Sequence, residues 1–98
     1  MKTYTICGSM RFGENMRKIA YDLEINEGYN ILQCVYCEKN VIPTEEELLK
    51  LTDAHYRKID LSDGIYVVNI DGYIGASVKK EIEYAQKRGK EVVYHWNL

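Results

Sequence analysis

Glu81 is the residue in this chain whose type and setting point most directly to chemistry. It follows the apolar run Ile65 to Ile70 and the glycine-punctuated stretch Asp71-Gly72-Tyr73-Ile74-Gly75-Ala76-Ser77. That order reads as a buried strand, a loop and a helix start, which sets a carboxylate beside free backbone N–H groups at the C-terminal edge of a parallel sheet, where open α/β folds bind ligands. At about 100° per residue, Glu81 borders the Val78/Ile82/Ala85 stripe and stands above Ser77. Glu83 turns to the opposite side with Lys79, Lys80 and Lys87. A carboxylate in the first turns of a helix is held ionised by the macrodipole and nearby amides, and an ionised carboxylate is what a nucleophile must be. The same placement also serves helix stability without any function, and both readings stand at this point.

Other side chains offer supporting chemistry. In Gly8-Ser9-Met10-Arg11-Phe12-Gly13 a strand end delivers a glycine that permits close approach, a hydroxyl, and a guanidinium that can fork onto phosphate or carboxylate. It lacks both the G-x-G-x-x-G fingerprint and a P-loop lysine, and reads equally as a tight turn with a surface arginine. His55 falls mid-stripe on a helix, with Leu48, Thr52 and Ile59 around it, either as a satisfied core residue or as a proton donor and acceptor near neutral pH. Asn69, at the end of the third strand, can orient a substrate hydroxyl or tie its own loop. Cys34-Val35-Tyr36-Cys37 has C-x-x-C spacing. Several residues and Pro43 separate it from the next helix, however, so no helix N-terminus lowers its thiol pKa, and a zinc site would have to recruit Cys7, histidine or carboxylate ligands from elsewhere. Nine tyrosines against one phenylalanine suit half-buried positions, including the wall of a pocket or a subunit interface.

The elements that must position these residues follow from pattern. Thr3 to Cys7 is β-branched and aromatic and ends at Gly8-Ser9, a first strand and turn. Met16, Ile19, Ala20 and Leu23 recur at helical spacing, with Gly28 as the stop. Tyr29 to Val35 reads as a second strand. Thr44 as N-cap with Glu47 three residues on predicts a capping box and a helix that carries Leu48, Leu51, Thr52, His55 and Ile59 on one side. Ile65 to Ile70 is continuous enough for a strand covered on both faces. Ala76 to Lys87 is helical and ends at Gly89, and Glu91 to Trp96 is a last strand. The β-α-β-α-β-α-β alternation predicts one α/β domain over residues 1–98: a three-layer, flavodoxin-like or Rossmann-like parallel sheet of about four strands with right-handed crossovers and helices on both faces. The expected strand order is 2-1-3-4, with a cleft flanked by the loops after strands 1 and 3.

Composition narrows the function classes. Thirteen Lys and Arg stand against 15 Asp and Glu, for a formal charge of -2 over 98 residues, with no basic block to track a phosphate backbone. A nucleic-acid polymer is therefore disfavoured as a partner, while single nucleotides remain open. No run of about 18 apolar residues suggests a membrane span. Three cysteines without secretory features fit reduced thiols and a cytoplasmic setting. A chain this short strains to build a deep pocket alone, so a homodimer or higher homo-oligomer is expected.

Three blocks together resemble the nucleoside 2-deoxyribosyltransferase-like superfamily, which includes the 2'-deoxynucleoside 5'-monophosphate N-glycosidases. Gly8-Ser9-Met10-Arg11 is similar to the Gly-Ser-x-Arg loop of its nucleotide-hydrolase branch. His55-x-x-x-Ile59-x-x-Ser62-Asp63 is similar to its helix-to-third-strand segment, and Gly75-Ala76-Ser77 with Glu81-Ile82-x-Tyr84-Ala85 to its small-residue loop and nucleophile helix. The resemblance implies a flavodoxin-like fold and double displacement at C1' of a nucleoside or nucleoside 5'-monophosphate. Glu81 would be the nucleophile and His55 the candidate acid/base. Gly8, Ser9, Arg11, Asn69, Gly75 and Ser77 would bind substrate, Arg11 and Ser77 at the 5'-phosphate, and neither a metal nor an organic cofactor would be needed. The family's second active-site acid, an Asp, falls at His55 here, and the chain is shorter than its usual members. Two alternatives share the fold: a non-catalytic nucleotide-binding or signalling module, and an NAD-cleaving domain that uses the same glutamate.

Overall fold

Two strands with no polar face fix the centre of the sheet. The computed structural model describes residues 1–37 and 40–96. In it β1 (Thr3–Gly8) lies beside β3 (Gly64–Val68), parallel, with Thr5 opposite Ile65 and Cys7 opposite Val67. Alternation sends Tyr4, Ile6, Tyr66 and Val68 to one side and Cys7, Ile65 and Val67 to the other. Each side is covered, as near-continuous apolar strands require. β2 (Asn30–Leu32) pairs with the outer side of β1, and β4 (Glu91–Tyr94) with β3. The order is β2-β1-β3-β4, all parallel, as the sequence predicts. Gly64 is required by the last pairing, because a Cβ there would collide with the Glu91 carbonyl of β4.

The reversal of winding direction between β2 and β3 distributes the helices. On one face α1 (Gly13–Asp22) buries Met16 and Ala20 against Tyr4, Ile6, Ile31 and Val68. It closes through a π turn, Leu23–Glu27, that Gly28 ends in the left-handed region at φ 70°. On the other face α2 (Glu45–Leu61) and α3 (Ala76–Lys87) bring Ile59, Val78 and Ala85 onto Ile65 and Val67. The capping box forms as expected: the Glu47 N–H donates to Thr44 Oγ1 at 3.1 Å and the Thr44 N–H to Glu47 Oε1 at 2.9 Å.

Strand ends differ from expectation for identifiable reasons. β2 stops at Leu32 rather than Val35, because the Lys58 ammonium takes the Gln33 carbonyl at 2.8 Å in place of a ladder partner and the chain leaves the sheet toward α2. β3 stops at Val68. The next residues form a 3-10 turn, Ile70–Gly72, with Asp71 and Gly72 at φ 56° and 80°. β4 stops at Tyr94, and Asn69 clasps the Trp96 backbone through both its amide groups, accepting from the N–H at 2.7 Å and donating to the carbonyl at 3.0 Å. Among the described residues no helix is long and apolar enough to cross a membrane.

Candidate functional site

The α2 stripe does not meet the sheet evenly along its length. Ile59 is fully buried while Leu48, three turns earlier, is 49 % exposed. The helix thus lifts away from β1 toward its N-terminus, and a cleft of about 390 Å³ opens between α2, α3 and the C-terminal end of β1. Gly8 lies at its floor, Leu51 and Tyr56 on the α2 wall, Ser77 and Lys80 on the α3 wall, and Cys34 on the segment that follows β2.

Three side chains from three elements converge there. Cys7 points from β1 toward the α2–α3 side, His55 comes from α2 and Glu81 from the second turn of α3. Glu81 Oε1 lies 3.1 Å from His55 Nε2, and Cys7 Sγ lies 3.4 Å from the same nitrogen. The His55 and Glu81 side chains are only 13 % and 14 % exposed, and Cys7 is buried. With Glu81 ionised, the Nε2 proton of His55 is donated to it, and that one proton position also faces the sulfur. Nδ1 is buried with no hydrogen-bond partner among the described residues.

Burial and the Glu81 carboxylate both act on the neighbouring thiol and phenol. Burial first, and then the Glu81 carboxylate, push the Cys7 thiol well up, so at neutral pH Cys7 is a protonated thiol, which also makes a long contact, 3.8 Å, to the Thr5 carbonyl. Burial and then Glu81 likewise raise the Tyr56 hydroxyl. Burial raises Cys34 as well, against the opposing pull of Tyr36 and Lys58. An inert buried thiol is the expected result of an apolar environment beside an anion. The three cysteines are free thiols, half-buried at Cys34 and exposed at Cys37.

The sequence-derived candidates separate into those at the cleft and those outside it. Glu81, His55, Gly8 and Ser77 border it together. Ser9 caps the 3-10 turn Met10–Phe12, accepting from the Arg11 N–H at 3.4 Å. Arg11 lies over the Tyr73 ring, 4.6 Å from its centre, and Tyr73 in turn packs beside Gly75, so the two loops after β1 and β3 touch through that ring. Gly75 is the N-cap of α3 and supplies no side-chain cap, which leaves the first N–H groups of that helix open. Asn69 has both amide atoms engaged with Trp96 and is not part of the cleft lining.

Sequence reasoning did not single out Cys7, Tyr56 or Lys80 as site residues. Cys7 carried a usable signal: strand alternation puts it on the Thr5 side of β1, the side opposite Ile6, and one residue from the strand end. Lys80 was placed on the outer face by its helix angle. It stands three residues after Ser77, and its long stem carries it to the cleft rim. No family model, curated protein or solved structure matches this chain, so the likeness to the deoxyribosyltransferases rests on the three residue blocks quoted above.

Proposed function

We propose that this protein cleaves the N-glycosidic bond of a nucleoside or nucleoside 5'-monophosphate through a glycosyl-enzyme ester on Glu81, passing the sugar to water or to a second base. The observation that carries the reading is the Glu81–His55 pair: a carboxylate in the first turns of α3, at the wall of a cleft, hydrogen-bonded at 3.1 Å to an imidazole on the facing helix. A nucleophilic carboxylate has to be ionised, aimed and largely desolvated. The His55 hydrogen bond aims Glu81, and 14 % exposure leaves it largely desolvated.

In the first step a Glu81 oxygen forms a bond to C1' and the C1'–N bond breaks, its electron pair leaving with the base. The departing base takes a proton, and this reading gives the role of donor to a protonated His55. In the second step water attacks C1', the ester bond breaks back to carboxylate, and neutral His55 accepts the proton released by water. His55 here takes the place of the family's second acid. The open N–H groups at the start of α3, with Ser77 and the Lys80 ammonium beside them, suit a 5'-phosphate. Arg11 reaches the same loop surface by stacking on Tyr73. Leu51 and Tyr56 offer apolar walls to the base.

The cleft volume of about 390 Å³ lies within the roughly 300–1,000 Å³ of small-molecule sites and suits a ligand of nucleotide size. A second copy of the chain as partner belongs to the same reading: exposed Val35 and Val41 line an apolar hollow that shares Val35, Cys37 and Leu51 with the cleft, and a homodimer would cover it. Free thiols suit a reducing, cytoplasmic setting.

The test is to incubate the protein with a panel of nucleosides, 2'-deoxynucleosides and their 5'-monophosphates and to separate free base by chromatography. Base release that disappears in Glu81→Gln supports the reading. Thermal stabilisation by a nucleotide without any release identifies the non-catalytic module, and release of nicotinamide from NAD identifies the third class.

A further inference from the structure

We propose that Cys7, His55 and Glu81 form a three-ligand site for a single zinc ion, open to the cleft at its fourth position, and that zinc bound there blocks the chemistry of Glu81. The metal site itself rests on geometry and donor chemistry. Only the inhibition rests on the proposed glycosidase reading.

The donor atoms, one sulfur, one imidazole nitrogen and one carboxylate oxygen, all lie within 4.8 Å of one another. A four-coordinate zinc with Zn–S of about 2.3 Å and Zn–N and Zn–O of about 2.0–2.2 Å has its ligands roughly 3.2–3.8 Å apart. The Cys7–His55 separation of 3.4 Å falls in that range, the His55–Glu81 separation of 3.1 Å lies just below it, and the third pair is within 4.8 Å, so rotamer adjustments of the Glu81 and His55 side chains would admit the ion. Cys7 and Glu81 share one Nε2 proton position between them. A divalent cation at their centre would instead satisfy all three donors at once, with the Cys7 thiol releasing its proton to solvent and the His55 proton shifting from Nε2 to Nδ1.

Donor type selects the metal. A single carboxylate oxygen cannot meet the six or more oxygens that calcium requires, or the near-octahedral oxygen shell of magnesium, whereas a thiolate and an imidazole suit zinc. The three residues come from β1, α2 and α3, elements held by the buried core rather than by loops. His55 and Glu81 line the cleft, with Cys7 buried behind them, so the ion would enter from that side and keep its fourth position there for water. On metal binding the remaining His55 proton moves to Nδ1, which has no acceptor among the described residues. Metal-bound histidines ordinarily donate that proton to a neighbour. The site is therefore weaker than a structural zinc centre and exchangeable, as an inhibitory site has to be.

Cobalt(II) is the direct probe. Titrated into the reduced full-length chain, it should bind one ion per chain, with a thiolate-to-cobalt charge-transfer band and the intense visible bands of a four-coordinate ion, and zinc should displace it. The spectrum should persist in the Cys34→Ser/Cys37→Ser double variant and vanish in Cys7→Ala. His55→Gln and Glu81→Gln should each weaken binding by at least about tenfold, since loss of even an outer partner costs 10–100-fold at such sites. The last two variants keep the test valid if Cys7→Ala fails to fold. A spectrum that survives Cys7→Ala but vanishes in the Cys34/Cys37 double variant would assign the metal to the C-x-x-C pair and overturn the proposal. So would the octahedral spectrum of unbound cobalt alone. Base release that zinc suppresses and EDTA restores adds the inhibitory arm. A cobalt spectrum as described, in a protein that releases no base when metal-free, would sustain the site while the glycosidase reading fails.

Discussion

The two faces of the sheet are built on the same strands and come to opposite ends. On the α1 face, Tyr4, Ile6, Tyr66 and Val68 are sealed by Met16, Ala20 and Leu23 along the whole length of the strands. Packing there is close enough that a Cβ on Gly8 would lie 3.0 Å from the Met16 sulfur. On the other face Ile59, Val78 and Ala85 seal Ile65 and Val67. Above them the place of the next apolar layer is taken by Cys7, His55 and Glu81, beside an open cleft. The closed face has as its polar atoms the Tyr4 and Tyr66 hydroxyls, which are paired at its margins with Glu91 and His95, and the rest packs as apolar side chains. The other face holds a polar cluster whose hydrogen bonds are shared and incomplete, and α2 lifts away where that cluster begins. Stability is therefore concentrated on one side of this small sheet and chemistry on the other.

Substitutions that separate the two faces can break that contrast. Glu81→Gln should lower the rate of base release by at least about 10³-fold, as loss of a nucleophile does, and should leave the unfolding midpoint near that of the parent chain. Equal loss of stability and activity would mean that the cluster is core rather than site. Met16→Ala, on the closed face, should cost about 2–5 kcal/mol in denaturant unfolding, the range for emptying a well-packed position, whereas Leu48→Ala at the cleft's outer edge should cost less than about 1 kcal/mol. Comparable losses would show that α2 packs along its full length.

A gentler probe is thiol labelling of the native protein. Cys37 should react with iodoacetamide first and Cys34 more slowly. Cys7 should react only on unfolding, because burial and the Glu81 charge keep it protonated and out of reach. Mass mapping of the alkylated peptides checks the order. The smallest effect lies at the opposite end of the closed face. The Tyr4 hydroxyl donates to Glu91 and, with Lys2, holds the Glu91 carboxyl below its ordinary range. A depressed carboxylate pKa contributes stability above the unfolded-state value, and that contribution is lost as pH falls through the folded one. Tyr4→Phe should therefore lower stability slightly at neutral pH and flatten its loss in acid. Acid unfolding curves that superimpose would remove this contact from the account.

How much of this was legible beforehand follows the range of the interactions involved. The sheet order, the covering of both faces and the α2 capping box are carried by local signals, apolar runs and the Thr44/Glu47 pair, and each was readable. So was the side of α3 that carries Glu81, because helix angle alone separates it from Glu83. The lengths of β2 and β4 were not readable. They are set by Lys58 reaching Gln33 and by Asn69 clasping Trp96, contacts between residues far apart in the chain. The stacking of Arg11 on Tyr73 and the approach of Cys7 to His55 are of the same kind. A spacing rule sees one element at a time, and the cluster joins three.

The most direct test is to quench a reaction of the protein with a 2'-deoxynucleoside 5'-monophosphate in acid and to weigh the intact chain and its peptides by mass spectrometry. The account predicts free base in solution, together with a deoxyribosyl phosphate adduct on the peptide that contains Glu81, and the loss of both in Glu81→Gln. Base release at the parental rate from Glu81→Gln would contradict it, as would the absence of base release from every nucleoside and nucleotide tried.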